Sequence, residues 1–128
     1  MSNADVIEEI NKALFAHGAW KMRLRDAISK GSSDMTVDTA SRDDCCAFGK
    51  WLHGNEIDQH VRGSAAHQTA TKLHKEFHLS AGKVLDEALH DHKDKAVSLL
   101  KGEFGDRSQT LMIALTKWKR DLDKAKAA

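Results

Sequence analysis

Two cysteines and eight histidines are the residues of this chain best suited to metal or redox chemistry. His74-Lys75-Glu76-Phe77-His78 spaces two imidazoles four residues apart. On a helix that spacing brings their Cβ atoms to about 6 Å, close enough to chelate one ion. Zinc peptidases use the same spacing, but they need Glu directly after the first histidine as general base. Lys75 stands there instead, so the hydrolytic reading fails. The alternative is a pair of histidines satisfied by backbone or solvent. His67 lies seven residues before His74, about 10 Å along a helix axis. That is too far to share an ion, and His67 is expected beside or outside any centre. His53, His60, His90 and His92 fall near predicted helix ends or in loops, where solvated histidines are usual.

His17 and Cys46 pose a sharper question. His17 falls on an apolar stripe of Ile7, Ile10, Leu14, Leu24 and Ile28, with Trp20 beside it. A histidine so placed faces an interior and needs a partner there, either a backbone group or a metal. Cys45 and Cys46 are adjacent. A disulfide between neighbours closes a strained ring and crosslinks no loop, so it would stabilise little. In a chain of cytosolic character, cysteine near histidine is more often a metal or redox site. Cys46 reads either as a small buried hydrophobe or as a thiolate favoured by the first turn of a helix.

Helices must position these groups. The stripe predicts one helix over residues 4–30, ended by Gly31-Ser32-Ser33-Asp34. A polar connection to about Asp43 follows, long for a link inside a bundle. A short helix fits Cys45 to His53, with Asp43 or Asp44 as N-cap and Gly54 in the left-handed position past its end. Phe48, Trp51 and Leu52 can anchor it, and Gly49 leaves room for a close neighbour. Residues 54–62 read as irregular. Ala66, Ala70, Leu73, Phe77, Ala81, Val84 and Ala88 then mark a helix from Ser64 to His90. Ala96, Leu100, Phe104, Leu111, Leu115, Trp118 and Leu122 mark the last, which Gly102 and Gly105 either kink or split. The fold expected is all-α: an antiparallel four-helix bundle with an additional short helix carrying the cysteine motif. Wide stripes at Val6–Ile7, Leu99–Leu100 and Met112–Ile113 predict a partner surface and a homodimer.

Composition bounds the remaining possibilities. At 128 residues and 14.2 kDa the chain is expected to form a single domain over 1–128. With 41% hydrophobic and 30% charged residues it reads as globular, and the absence of proline favours helices. Twenty basic and nineteen acidic residues leave a net charge of +1, unsuited to nucleic acid or an anionic membrane. No apolar run approaches the ~20 residues of a membrane span. Asn3, Asp5, Glu8 and Glu9 do not fit a secretory signal, so the cytoplasm is the expected compartment.

Cys46-Ala47-Phe48-Gly49-Lys50-Trp51-Leu52-His53-Gly54 fits the pattern Cys-x-(Leu/Phe)-Gly-x-Trp-(Leu/Met/Ile)-x-Gly. In this motif and the histidines around it the chain resembles the chemoreceptor zinc-binding (CZB) domain family, essentially over its whole length. The resemblance implies that His17, Cys46, His74 and His78 bind one zinc ion. It also implies a homodimeric four-helix bundle serving as a cytoplasmic regulatory domain of bacterial chemoreceptors or diguanylate cyclases. Three imidazoles and one thiolate suit tetrahedral zinc, and four protein ligands leave no open position, so no enzyme activity is expected. Signalling would follow zinc occupancy or oxidation of the Cys46 thiolate. The competing reading is a structural-zinc or di-iron bundle without a sensory role; for di-iron, Glu87-Ala88-Leu89-His90 is the closest string to the required motif and occurs once. Cys45 is not called for by the pattern and is expected to be a surface thiol. No methyl-accepting hairpin or cyclase domain is legible, so the expected output module is a separate protein or was cut away.

Overall fold

Ser2 and Asp5 start the first helix reciprocally: the Asp5 N–H donates to Ser2 Oγ at 3.3 Å, and the Ser2 N–H donates to Asp5 Oδ2 at 2.9 Å. The computed structural model describes residues 2–54, 57 and 59–127. Helix α1 (Asn3–Gly18) passes through Ala19 into α2 (Trp20–Lys30). Ala19 keeps right-handed helical dihedrals and still donates to the Phe15 carbonyl, so the helix expected over 4–30 is interrupted by one residue. Its buried stripe is Val6, Ile10, Ala13, His17, Trp20, Leu24 and Ala27, joined by Ile28. These positions alternate by four and three, the spacing of a continuous helical seam. Ile7 and Leu14, expected on the stripe, are half-buried at its edge. Gly31, at φ +69°, ends α2 in the left-handed conformation that glycine adopts without strain.

The connection after Gly31 is not irregular throughout. Thr36 Oγ1 accepts from the Thr39 N–H at 3.1 Å and starts α3 (Val37–Ser41), which sequence periodicity missed. Next comes α4 (Ala47–His53), whose N-cap is Cys46 itself rather than Asp43 or Asp44. Gly54 lies in extended backbone at φ −82°, ψ 178°, not left-handed as expected. What requires a glycine there is space, since an added Cβ would stand 2.7 Å from the Lys50 carbonyl oxygen. Ser64 caps α5 (Ala65–Leu89), accepting from the His67 N–H. Helix α6 (Lys93–Leu99) runs through a π-helical turn at Leu100–Phe104 into α7 (Gly105–Ala127). Gly102 lies inside this wide turn and Gly105 directly after it, so the last segment is one rod with a local bulge.

The topology follows from a few contacts. Lys93 Nζ donates to the Ser29 carbonyl, placing the end of α2 beside the start of α6. The α1–α2 rod and α5 therefore finish at the same end of the bundle, and α6–α7 returns. The crossover also returns along α5, with Ser41 against Gly82, Ala40 against His78, Gly49 against His74 and Leu52 against His67. The fold is the expected all-α bundle, running up, down, up and down, with α3 and α4 together forming its second leg. Phe77, Phe104, Leu85, Leu111 and Leu115 fill the centre. No helix among the described residues is long and apolar enough to cross a membrane.

Candidate metal centre

His17 stands in the last turn of α1, Cys46 at the mouth of α4, and His74 and His78 one turn apart on α5. The three histidines are 0–2% exposed and Cys46 is half-buried. Their four donor atoms lie within 4.8 Å of one another. His74 Nε2 is 3.0 Å from both His17 Nε2 and His78 Nε2. Cys46 Sγ lies 3.2 Å from His74 Nε2, 3.6 Å from His78 Nε2 and 3.9 Å from His17 Nε2. Zinc bond lengths place tetrahedral ligands about 3.3 Å apart for nitrogen pairs and about 3.6 Å for sulfur to nitrogen. The cluster is therefore the size of one zinc coordination shell.

Backbone carbonyls set the ring tautomers. His17 Nδ1 donates to the Ala13 carbonyl at 2.8 Å, and His78 Nδ1 donates to the Ala40 carbonyl at 3.1 Å. A carbonyl can only accept, so each Nε2 keeps its lone pair and aims it at the shared point. His74 Nε2 points there as well, but its buried Nδ1 has no hydrogen-bond partner among the described residues. Donor atoms this close need a shared cation between them, or protons on His74 Nε2 and on the thiol. The rings are edge-on to Phe48, Phe77 and Trp20, at centroid distances of 5.1–5.9 Å where His17 meets the phenylalanines and 5.3 Å between Trp20 and His78. These aromatic walls cover the imidazoles, and small clefts of about 130 and 170 Å³ lie open beside Cys46.

Burial depresses the His17 pKa to about 4, against the hydrogen bond to Ala13. It depresses His74 to about 2, assisted by the neighbouring His78 and His17, and lowers His78 as well. At neutral pH all three imidazoles are thus uncharged, the form that binds metal. Cys46 departs from expectation. Burial pushes its thiol above the ordinary range, outweighing the N–H that Gly49 donates to sulfur at 3.4 Å. The seven-residue α4 does not by itself make a thiolate; coordination would. Zinc uptake at pH 7 should therefore release about one proton, and affinity should rise about tenfold per pH unit between pH 7 and 8. Calorimetry in buffers of different ionisation enthalpy measures this, and release of two or more protons would contradict neutral imidazoles.

The other candidates lie elsewhere. His67 donates from Nε2 to the Leu52 carbonyl at 3.0 Å and accepts at Nδ1 from the Gly63 N–H, clasping the end of α4 to α5. His53, His90 and His92 are exposed beside Asp43, Asp86 and Glu87, and His60 is exposed. Glu87 is taken up by His92 at 2.7 Å, and no carboxylate belongs to the cluster, so the di-iron reading has no support among the described residues. Cys45 is exposed, as expected. Sequence reasoning missed the carbonyls of Ala13 and Ala40. The first is implicit in any helix, four residues before His17; the second depends on α3, which left no periodic trace.

The family described as chemoreceptor zinc-binding domain matches residues 17–85, a span that holds all four residues of the cluster. No curated protein and no solved structure matches the chain.

Proposed function

The chain belongs to the chemoreceptor zinc-binding domain family, and from that premise we propose that residues 1–128 form a non-catalytic sensory domain. In this reading His17, Cys46, His74 and His78 hold one zinc ion. The observation that carries it is the convergence of three buried, uncharged imidazoles and one thiol at zinc spacing. Bound zinc would supply a cross-link among α1, α4 and α5 and hold the Cys46 sulfur as thiolate. Four protein donors leave no position for a reacting water, which is why the domain reads as a sensor rather than a hydrolase.

Cys46 is the donor through which a signal can act, because it alone is half-buried while the histidines are sealed. Oxidation to the sulfenic acid would weaken sulfur as a donor and enlarge it. It would also disturb the start of α4, since the same sulfur is that helix's cap. Phe48, Trp51 and Leu52 would then be the main anchors of this leg. Zinc-loaded protein treated with one equivalent of hypochlorite should release zinc to a chelating dye and change its tryptophan emission, because Trp51 packs 6.0 Å from Trp118. Unchanged zinc and emission with Cys46 still reduced would leave zinc level itself as the signal.

The output is a chemoreceptor signalling domain or a diguanylate cyclase, reached in the cytoplasm through a homodimer. Support for a partner surface comes from Phe15 (83% exposed), Met22 (69%) and Ile113 (62%). Phe15 and Met22 lie on the side of the α1–α2 rod opposite its buried stripe. Of the pairs that suggested a dimer in the sequence, Val6 and Leu100 are instead core residues. Light scattering at micromolar concentration should give twice the chain mass; a monomer would remove the dimer from the proposal.

A further inference from the structure

Two small clefts lead to the donors of the centre, and their linings differ in charge. The larger, of about 170 Å³, touches Cys46 and His78 beside Arg23 and Arg42 and has no carboxylate among the described residues. Arg23 is held over the Trp20 ring at 4.5 Å, so a guanidinium charge stays at this mouth and repels a divalent cation. The smaller cleft, of about 130 Å³, lies between α1 and the start of α4 and touches His17 and Cys46. Glu9 is the carboxylate of its lining. Lys12, also in the lining, stands 3.5 Å from Glu9 but is shared with Glu8 at 3.7 Å, and its side chain is 64% exposed. Two carboxylates against one solvated ammonium leave this mouth net negative. Ala16 and Ala47, both exposed, have side chains short enough to keep it open.

We propose that zinc enters and leaves the centre through the α1-side cleft, with Glu9 as the transient ligand that receives the ion at the mouth. The inference rests on the zinc reading of the centre and adds the path and the residue that controls it. Size makes a ligand on the way necessary. A space of about 130 Å³ holds roughly four waters, too few for a zinc ion in its full hydration shell. The ion must shed water before it meets the imidazoles, and a carboxylate oxygen is a zinc ligand that can replace it. Glu9 lies two turns before His17, about 12 Å along α1, so it serves the entrance and not the final coordination shell. His17 and Cys46 line the cleft and are the first donors the ion meets; His74 and His78 do not line it and bind after them. As the zinc–sulfur bond forms, the S–H bond of Cys46 breaks and its proton passes to water in the cleft.

The test follows the zinc-loaded chain as it releases metal to an excess of a chromophoric chelator. Release rate and equilibrium affinity together give the association rate. Ala16→Leu narrows the mouth at an exposed position. It should slow release and association alike, by about tenfold, and leave affinity within about twofold, because a plug acts equally on passage in both directions. Glu9→Gln should lower the association rate about tenfold, with the difference shrinking in high salt. Glu9→Asp should restore most of it. Glu8→Gln, which also pairs with Lys12 but lies outside the cleft, should change it by less than about twofold. Cys45→Leu fills the mouth of the other cleft and should leave both rates within about twofold. Rates slowed by Cys45→Leu and not by Ala16→Leu would overturn the path in favour of the other cleft. Rates unmoved by both plugs would overturn it in favour of opening of the crossover. Slow exchange in Ala16→Leu with an unchanged Glu9→Gln would remove Glu9 from the path. An unmutated chain that holds no zinc at equilibrium would instead overturn the zinc reading beneath it.

Discussion

Cys46→Ala should lower zinc affinity a hundred- to a thousandfold, while Cys45→Ala should leave it within about twofold. Structural zinc sites bind with about 10–16 kcal/mol, so one of four ligands carries about 3–4 kcal/mol, and each 1.4 kcal/mol is tenfold. Cys46 Sγ lies within 3.9 Å of all three Nε2 atoms, whereas Cys45 is exposed beside Asp44. The histidines should not be equivalent either. His17 and His78 are oriented by carbonyl acceptors, and such partners are typically worth 10–100-fold in metal affinity. His74 lacks one at Nδ1. His74→Ala should therefore cost about tenfold less than His17→Ala or His78→Ala. Competition against a chromophoric chelator ranks all five variants. Zinc lost in Cys45→Ala and kept in Cys46→Ala would reverse the ligand assignment.

Gly49→Ala should be the most damaging single methyl in the crossover. Its Cβ would stand 1.6 Å from the Asp43 carbonyl oxygen and 2.8 Å from the Asp43 carbonyl carbon, both backbone, and 3.2 Å from His74 Cε1. The chain before α4 and the centre itself thus crowd the same hydrogen, and neither can yield without moving Cys46 or His74. Overpacking of this kind costs about 3 kcal/mol, which for a domain of this size is a fall in Tm of about 12 °C. Zinc affinity should fall with it. Gly18→Ala is the control, because nothing lies within 4 Å of a Cβ there and alanine favours a helix by up to about 1 kcal/mol over glycine. Thermal unfolding of both variants, with and without zinc, tests the contrast. A Gly49→Ala protein melting within about 2 °C of the unmutated chain would contradict the close approach.

The features legible in the sequence were those with a period or a motif. Alternating apolar positions marked the long helices, and His74 and His78 announced a chelating pair through their spacing alone. The Cys-x-Phe-Gly-x-Trp run and His17 then pointed to a single centre through a family resemblance. Less legible was everything that depends on a neighbour. Five residues from Val37 to Ser41 are too few to carry a helical period, so nothing in the sequence sets α3 apart from the connection around it. Capping preference favours Asp43 or Asp44 at the start of α4, because aspartate is the commoner capping residue, yet sulfur occupies that place. A glycine past a helix end suggests left-handed dihedrals, but the reason for Gly54 is the carbonyl of Lys50. A helix end favours an acidic thiol, and burial, which no local pattern encodes, moves Cys46 the other way.

Viewed as a problem in chain statistics, a zinc ion held by these four residues would close two consecutive loops. Twenty-nine residues separate His17 from Cys46, and 28 separate Cys46 from His74. Closing a loop of that length removes about 3.6 kcal/mol of disorder from an unfolded chain, so the pair is comparable to two disulfides in series. The two loops share Cys46. Removing His17 from the centre opens the first and leaves the second closed. Removing Cys46 instead fuses both into one loop spanning the 57 residues from His17 to His74, whose closure is worth about 4.2 kcal/mol. The ends of that loop stay tied through histidines on α1 and α5, and the slack falls on the segment between them, which carries α3 and α4. Losing the sulfur thus loosens one leg and leaves the other three gathered.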